Sequence, residues 1–305
     1  MLESGSKPQR SKVVVDRRRE TVVNNLAARY LVRSLGRPDG RPNRGNAPVL
    51  EREVLAVRML RPITAALVLA ALAPASADGA EKLKALIITG ANNHKWQETT
   101  EVLKAVLEEN GKMSVDVAAD PEVPIFSEVK KLAGYDLIVL NLNQGKRWTS
   151  IRERNFLSYV REGGGLLVYH AADNAFSGWD EYDKLVGGTW RSKGTSFPEK
   201  GTFHPKYGPF EVKVVDENHP ITAGIKSFKT TDEMYSNLKL QDNIHVLAQG
   251  ETDGKPQPLL FVSEYGKGKM FQTALGHDVN AMKTPEFRET LKRGAAWAAR
   301  TSTAK

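Results

Sequence analysis

Apolar runs too short for helices recur along this chain after residue 83, each closed by glycine or a polar turn. The first is Lys84-Ala-Leu-Ile-Ile-Thr89-Gly90. A strand with one wet face would alternate, so this unbroken run reads as a parallel strand buried on both faces. Glu98 to Asn110 changes period: Val102, Ala105, Val106 and the neighbouring leucines make one apolar helix face, and Gly111 stops it. Val115-Asp-Val117 and Tyr135-Asp-Leu-Ile-Val-Leu140 read as the second and third strands. Ser150 to Arg161 is a helix stopped by Gly163-Gly164-Gly165. Leu166-Leu-Val168-Tyr169 is a fourth strand, ending at His170. Strands and helices at this spacing predict a mostly parallel central sheet with helices on both faces.

The second half alternates more. Phe210 to Val215, Ile244 to Leu247, Pro258 to Glu264 and Lys269 to Leu275 read as strands, the last two joined by a turn at Tyr265-Gly-Lys-Gly268. They predict antiparallel strands toward one side of the sheet. A closing helix runs from about Pro285 to Arg300, with proline in the first turn. Residues 177–209 are rich in glycine, lysine, aromatic residues and proline, and read as a long excursion with little regular structure.

One hydrophobic stretch has another pattern. Met59-Leu-Arg61-Pro62 leads into an apolar run too short to span a bilayer, ending at Ala75-Ser76-Ala77. A basic start, a short apolar core and an Ala-x-Ala end form the pattern of an export leader cleaved after Ala77. Such a leader works at a protein's N-terminus, so translation is expected to start at Met59, with residues 1–58 a non-native or disordered basic extension. The domain then occupies 78–305, with a core over 84–300.

Charge supports that division. The 305-residue chain has 44 basic and 36 acidic residues, net +8. Thirteen basic and six acidic residues fall in 1–58, whereas the chain from Asp78 balances thirty against thirty. The basic character therefore belongs to the extension, and net charge gives no ground for nucleic-acid binding by the domain. No cysteine is present, which excludes disulfides, thiolate metal sites and thiol nucleophiles.

Ligands in open α/β sheets bind beyond the carboxyl ends of the strands. Three stretches fall there: Asn92-Asn93-His94-Lys95-Trp96, His170-Ala-Ala-Asp173-Asn174 and Gly276-His277-Asp278. Three of the six histidines thus end or follow strands. His170 and His277 suit acid/base chemistry or neutral-nitrogen ligation, and Asp278 beside His277 suits orientation of its ring. His94, Asn93, Trp96 and Asp173 suit contacts to a polyhydroxylated ligand. Glu233 and Tyr235 lie two apart, on one side of a strand; they can supply an acid and a hydroxyl, though the segment also reads as a surface strand. His219 reads as a turn cap; His204 and His245 read as structural or exposed. No compact metal motif of the His-Glu-x-x-His kind occurs. The cofactor is open. Without thiolate, any divalent metal is expected to be zinc-like, held by imidazole and carboxylate, with His170 and His277 as ligands. Gly163-Gly164-Gly165 precedes a strand, so it is no dinucleotide fingerprint.

The segments Leu86-Ile-Ile-Thr-Gly-Ala-Asn-Asn-His94, Gly163-Gly-Gly-Leu-Leu-Val-Tyr-His170, His219-Pro220-Ile-Thr-Ala-Gly224, Asp232-Glu233-Met-Tyr235, Gly266-Lys-Gly268 and Leu275-Gly-His277-Asp278, in this order, carry a resemblance. From about Lys84 to Arg300 the chain resembles the ThuA-like (trehalose utilisation) family. The resemblance implies the flavodoxin-like sandwich of class I glutamine amidotransferases and a sugar-related role. That fold implies a nucleophilic cysteine on a turn after a central strand; here His170 stands there, so thiol-based glutamine hydrolysis is excluded. The expectation is an exported bacterial enzyme, periplasmic or secreted, acting by proton transfer or hydrolysis on a glycoside or keto-sugar. Its substrate is expected to be a neutral small-molecule carbohydrate, with no nucleic-acid partner and no membrane anchor once the leader is cut. The alternative is a non-catalytic carbohydrate-binding or partner protein, marked by a wide groove lined by Trp96, Trp148, Trp179 and Trp190 without converging histidines.

Overall fold

A computed structural model describes residues 81–119, 129–143, 145–192 and 201–299. The leader pattern at 59–77 and the extension before it lie outside the described residues.

In the first half, β1 (Leu83–Thr89), β2 (Met113–Ala118), β3 (Leu137–Asn141) and β4 (Gly165–Tyr169) alternate with the helices α1 (Trp96–Glu108), α2 (Val129–Leu132) and α3 (Ser150–Arg161). After β4 come a 3-10 turn at His170–Asn174 and α4 (Asp180–Val186). The second half supplies β5 (Gly188–Thr189), β6 (Gly208–Val214), β7 (Phe228–Asp232), β8 (Lys239–Leu240), β9 (His245–Thr252), β10 (Lys255–Tyr265) and β11 (Gly268–Thr273), then α5 (Pro285–Ala298). The main sheet runs β2-β1-β3-β4-β11-β10-β9-β6-β7, with β5 and β8 paired separately.

The 2-1-3-4 order of the first four strands is the flavodoxin-like winding. These strands pair in parallel, and β11 joins β4 in parallel as well. β10, β9, β6 and β7 then continue antiparallel toward one side. The mostly parallel sandwich with an antiparallel extension is as the sequence indicated. Side chains of Phe271 and Met270, adjacent in β11, must face opposite ways. An added methyl at Gly294 of α5 would meet Phe271, and one at Gly187, just past α4, would meet Met270. Helices therefore cover both faces. Ala85–Ile88, Leu137–Leu140 and Leu166–Val168 are almost wholly excluded from solvent. Each fully buried leucine or isoleucine there contributes about 1.5–3 kcal/mol. The sequence showed these strands as continuous apolar runs because they have no wet face.

The closing helix follows its local signals. Thr284 Oγ1 accepts from Phe287 N at 3.4 Å, and Pro285 occupies the first turn. Tyr265 pairs with Gly268, so Gly266-Lys267 forms the expected two-residue hairpin loop.

Two expectations are corrected. The 177–209 excursion contains α4, with three acidic residues in its first turn, Lys184 in its last and Gly187 after it at φ 76°. Seven residues are too few for a visible apolar period. The segment read as a surface strand at 231–235 is also displaced. The strand is β7, where Phe228, Thr230 and Asp232 face inward, and Glu233 and Tyr235 lie beyond its end. Tyr235 is buried and the Glu233 side chain only 13% exposed, so neither is a surface group.

Among the described residues no helix is long and apolar enough to cross a membrane.

Candidate functional site: three imidazoles and a carboxylate at the strand ends

β1, β4 and β11 run parallel to one another through the sheet, so the loops that follow them emerge at one end. His94, His170 and His277 lie in those loops. Their ring centroids are 5.0 Å apart for His94–His170, 4.7 Å for His94–His277 and 5.6 Å for His170–His277.

Local structure fixes each ring. Asn92 Oδ1 accepts from the backbone N–H of His94 at 3.0 Å and lies 2.9 Å from its Nδ1. The backbone contact marks that Asn atom as oxygen, so His94 Nδ1 is a donor and Nε2 carries the free lone pair. His170 has φ 44° and opens the 3-10 turn. Its Nδ1 lies 2.8 Å from the carbonyl oxygen of Ala274, which can only accept; its Nε2 again carries the lone pair, 3.0 Å from the Tyr235 hydroxyl.

The remaining pieces are joined by Asp232 at the end of β7. Its carboxylate accepts from the N–H groups of Gly276 at 2.6 Å, Glu233 at 2.8 Å and His277 at 3.1 Å. Tyr169 donates to the carbonyl of Gly276. This clamp places Glu233 Oε2 2.9 Å from His277 Nδ1 and 3.8 Å from both His94 Nε2 and His170 Nε2. The Glu233–His277 approach is close but too bent for a ring N–H to donate along it. The four donor atoms His94, His170, His277 and Glu233 offer lie within 4.8 Å of one another, and this is the set that could hold a metal. His94, His277 and Glu233 line a pocket of about 500 Å³ whose wall also includes Asn93, Asn143, Asn174, Trp190 and His204, and His170 is buried next to them.

Electrostatics separates the groups. Burial, with His94 and His277 nearby, pushes His170 down to about 3, so its ring is neutral. His277 is shifted upward by its contact with Glu233, against the effect of burial. Burial alone would raise Glu233, but His277 and His94 beside it hold it well below the usual carboxylate range. Burial and the nearby carboxylates of Asp173 and Glu233 push the Tyr235 phenol up, keeping it protonated. Burial also raises Asp232, to about 7, against the pull of its three N–H donors.

The sequence-predicted groups divide. His94, His170, His277, Glu233 and Tyr235 converge, and Asn93 lines the pocket wall. Asp278 lines the pocket too, but its carboxylate does not orient His277. It accepts from Asn280 N and Ala281 N, both at 2.9 Å, and from the Tyr207 hydroxyl at 3.2 Å. The carboxylate beside His277 is Glu233. Asp173 does not line the pocket. It is fully buried, with Gln272 Nε2 3.4 Å from Oδ2, because the turn opened by His170 carries it beneath the sheet end. Trp96 begins α1 and is absent from the pocket wall. Trp148 and Trp179 are buried together against Phe176, so only Trp190 of the four tryptophans lines the pocket.

Sequence reasoning missed Asn143 and the part played by His204. Asn143 sits just past β3, at a strand end like the histidines, and donates to Asn93 Oδ1 at 2.6 Å. His204 is exposed, as read, but its Nε2 lies 3.6 Å from Glu233 Oε1. It is brought there by pairing of Phe203 with Ser236, which no local pattern announces.

The trehalose utilisation (ThuA) family matches residues 84–298. The chain belongs to that family. A ThuA-like protein of Parabacteroides merdae is 31% identical over 74% of this chain and 93% of its own, with a TM-score of 0.66. A ThuA-like protein of Bacteroides uniformis is 20% identical over 73% and 94%, with a TM-score of 0.58. A cytoplasmic protein of Salmonella typhimurium is 18% identical over 72% and 100%, with a TM-score of 0.52. The last two share the fold. No curated protein matches the chain significantly.

Proposed function

We propose that this ThuA-family chain is an enzyme of sugar catabolism, acting by hydrolysis or proton transfer on a neutral glycoside or keto-sugar. The observation that carries the reading is the convergence of His94, His170, His277 and Glu233, three of which line one polar pocket while His170 is buried beside them. A buried cluster of neutral imidazole and charged carboxylate is costly to assemble unless used, and such clusters mark sites of chemistry. Asn93, Asn143 and Asn174 offer amides to hydroxyl groups, and Trp190 offers a ring. Tyr235, protonated and 3.0 Å from His170, supplies a hydroxyl to the reacting oxygen. The imidazoles either transfer protons or hold a metal. The leader pattern at Met59–Ala77 supports export, where such sugars are met outside the cytoplasm.

The converging histidines, and the lack of a tryptophan-lined groove among the described residues, speak for an enzyme over a carbohydrate-binding protein. The test is turnover of a panel of disaccharides and keto-glycosides by wild type and by the His170→Asn and His277→Gln variants. Turnover lost by both variants supports the proposal. Unchanged turnover in the variants, or binding of sugars by wild type without turnover, removes it. N-terminal sequencing of the secreted product should give Asp78.

A further inference from the structure

We infer that His94 Nε2, His170 Nε2, His277 Nδ1 and Glu233 Oε2 form a divalent-metal centre of the zinc class. The inference deepens the reading of the same pocket and rests on that reading for its part in catalysis. Metal binding itself is read without turnover, so either can fail alone.

Three features carry it. The first is the direction of the lone pairs. Asn92 Oδ1 and Ala274 O take up the Nδ1 protons of His94 and His170, leaving both Nε2 atoms as bases facing the cluster. A partner that fixes one ring nitrogen as donor and presents the other is the outer-shell arrangement of metal-ligating histidine. The second is the Glu233–His277 approach. Nitrogen and oxygen stand 2.9 Å apart yet are misaligned for a hydrogen bond. A cation seated between the two atoms would engage both at once.

The third is spacing. Ligands about 2.0–2.1 Å from zinc in a tetrahedron stand roughly 3.3 Å from one another. The donor pairs here run from 2.9 Å for His277–Glu233, through 3.8 Å for His94–Glu233 and His170–Glu233, to no more than 4.8 Å for the set. An ion needs only side-chain adjustments on the order of 1 Å to collect them. A purely proton-transferring cluster has no reason to gather three imidazole nitrogens and a carboxylate at these distances.

The donors choose the metal. Three imidazoles and one carboxylate, with no thiolate in the chain, suit zinc and its borderline neighbours; magnesium and calcium prefer all-oxygen shells. A single carboxylate leaves a dication with net positive charge, and the open side of the set faces the pocket. Tyr235 is the one competitor for a lone pair, through its contact with His170 Nε2. Its hydroxyl rotates freely, so once Nε2 holds the ion the proton can turn to a ligand oxygen in the pocket.

The test is calorimetric titration of zinc into chelator-stripped full-length protein, with Co²⁺ absorption as a report on geometry. One equivalent should bind. Co²⁺ should give the visible bands of a four- or five-coordinate nitrogen–oxygen site. His94→Ala and Glu233→Gln should each weaken binding by more than about 100-fold. Asn92→Ala, which touches only the outer face of His94, should weaken it by roughly 10–100-fold. His245→Ala serves as the control, since His245 pairs with Asp216 elsewhere, and should leave the titration unchanged. No zinc uptake by wild type, or uptake lost on His245→Ala and kept by His94→Ala and Glu233→Gln, overturns the inference. Wild type carries the decision even if a variant misfolds.

Discussion

Gly276 joins β11 to His277 at φ 105°, a conformation L-residues rarely adopt. A Cβ at this position would stand 2.7 Å from two ring carbons of Tyr169, which is itself buried and donates to the Gly276 carbonyl. Gly276→Ala therefore combines backbone strain of about 1–3 kcal/mol with overpacking of about 1–3 kcal/mol. Losing the Tyr169 hydrogen bond adds about 1 kcal/mol, and the stiffer unfolded chain returns about 0.4–1 kcal/mol. The net is a destabilisation of roughly 4 kcal/mol. For a domain of this size it lowers Tm by on the order of 10 °C. The strain also reaches the site, because Asp232 ties Gly276 N to the backbone of Glu233 and His277. Gly294→Ala is the companion measurement. Its methyl would stand 2.7 Å from Phe271 Cγ, in the helix-covered core and away from the pocket. It should lower Tm by overpacking, offset by about 1 kcal/mol of helix propensity, and leave kcat intact. Scanning calorimetry beside steady-state turnover reads both. A Gly276→Ala protein that melts within about 2 °C of wild type, or that loses no more activity than Gly294→Ala, would refute this account of the loop.

Three further outcomes are expected. Tyr235→Phe removes one hydroxyl from a packed ring and should lower kcat by about 100-fold with Tm nearly unchanged; equal kcat would remove the phenol from the chemistry. Asp183→Ala leaves Arg191 buried without its carboxylate and takes a partner from Lys239 as well, so stability should fall by about 3–5 kcal/mol in denaturant titrations. In metal-stripped protein, buried His170 takes up its proton only near pH 3, whereas the unfolded chain does so near the ordinary histidine value of about 6.5. The unfolded state thus binds more protons between these values, so stability is full above about pH 6.5. It falls by up to about 1.4 kcal/mol per unit as pH drops toward 3. His170→Asn, suited to the positive φ, should flatten that limb of a Tm–pH curve; an identical slope would place the acid sensitivity elsewhere.

The parallel half was legible because its strands are buried on both faces and its helices on one. Continuous apolar runs and a 3.6-residue period therefore mark them plainly. The rule that ligands gather at strand carboxyl ends points to His94, His170 and His277 from the sequence. It did not reveal Glu233 as the partner of His277. Sequence adjacency favoured Asp278, but in the folded loop that carboxylate satisfies the N–H groups of Asn280 and Ala281. Local hydrogen bonds of this kind are the usual fate of an Asp in a turn. Asp173 was misplaced for a related reason. Read as a loop it faces the ligand, yet a 3-10 turn of five residues rotates it beneath the sheet end. His204 arrives through Phe203 and Ser236, which pair across thirty residues, and a contact of that range leaves no periodic trace.

All three site histidines are introduced by backbone with positive φ: Gly90 at 121° ahead of His94, His170 itself at 44°, and Gly276 at 105° ahead of His277. Two of these positions use glycine, which bears the conformation without strain. The third does not, and a non-glycine residue held there costs about 1–3 kcal/mol. Ala171 and Ala172, both buried, leave room for the turn, and the Nδ1 contact with Ala274 holds the ring once it is made. The sharp exit from a central strand presents an imidazole lone pair. Strain retained at one non-glycine position, beside two positions relieved of it, is expected where the side chain is needed in that direction. The fold is thus stabilised by the buried strands and helices, and the direction of the lone pairs is set by three short turns. That is the physical reason a methyl at Gly294 and a methyl at Gly276 should both lower stability and part company in activity.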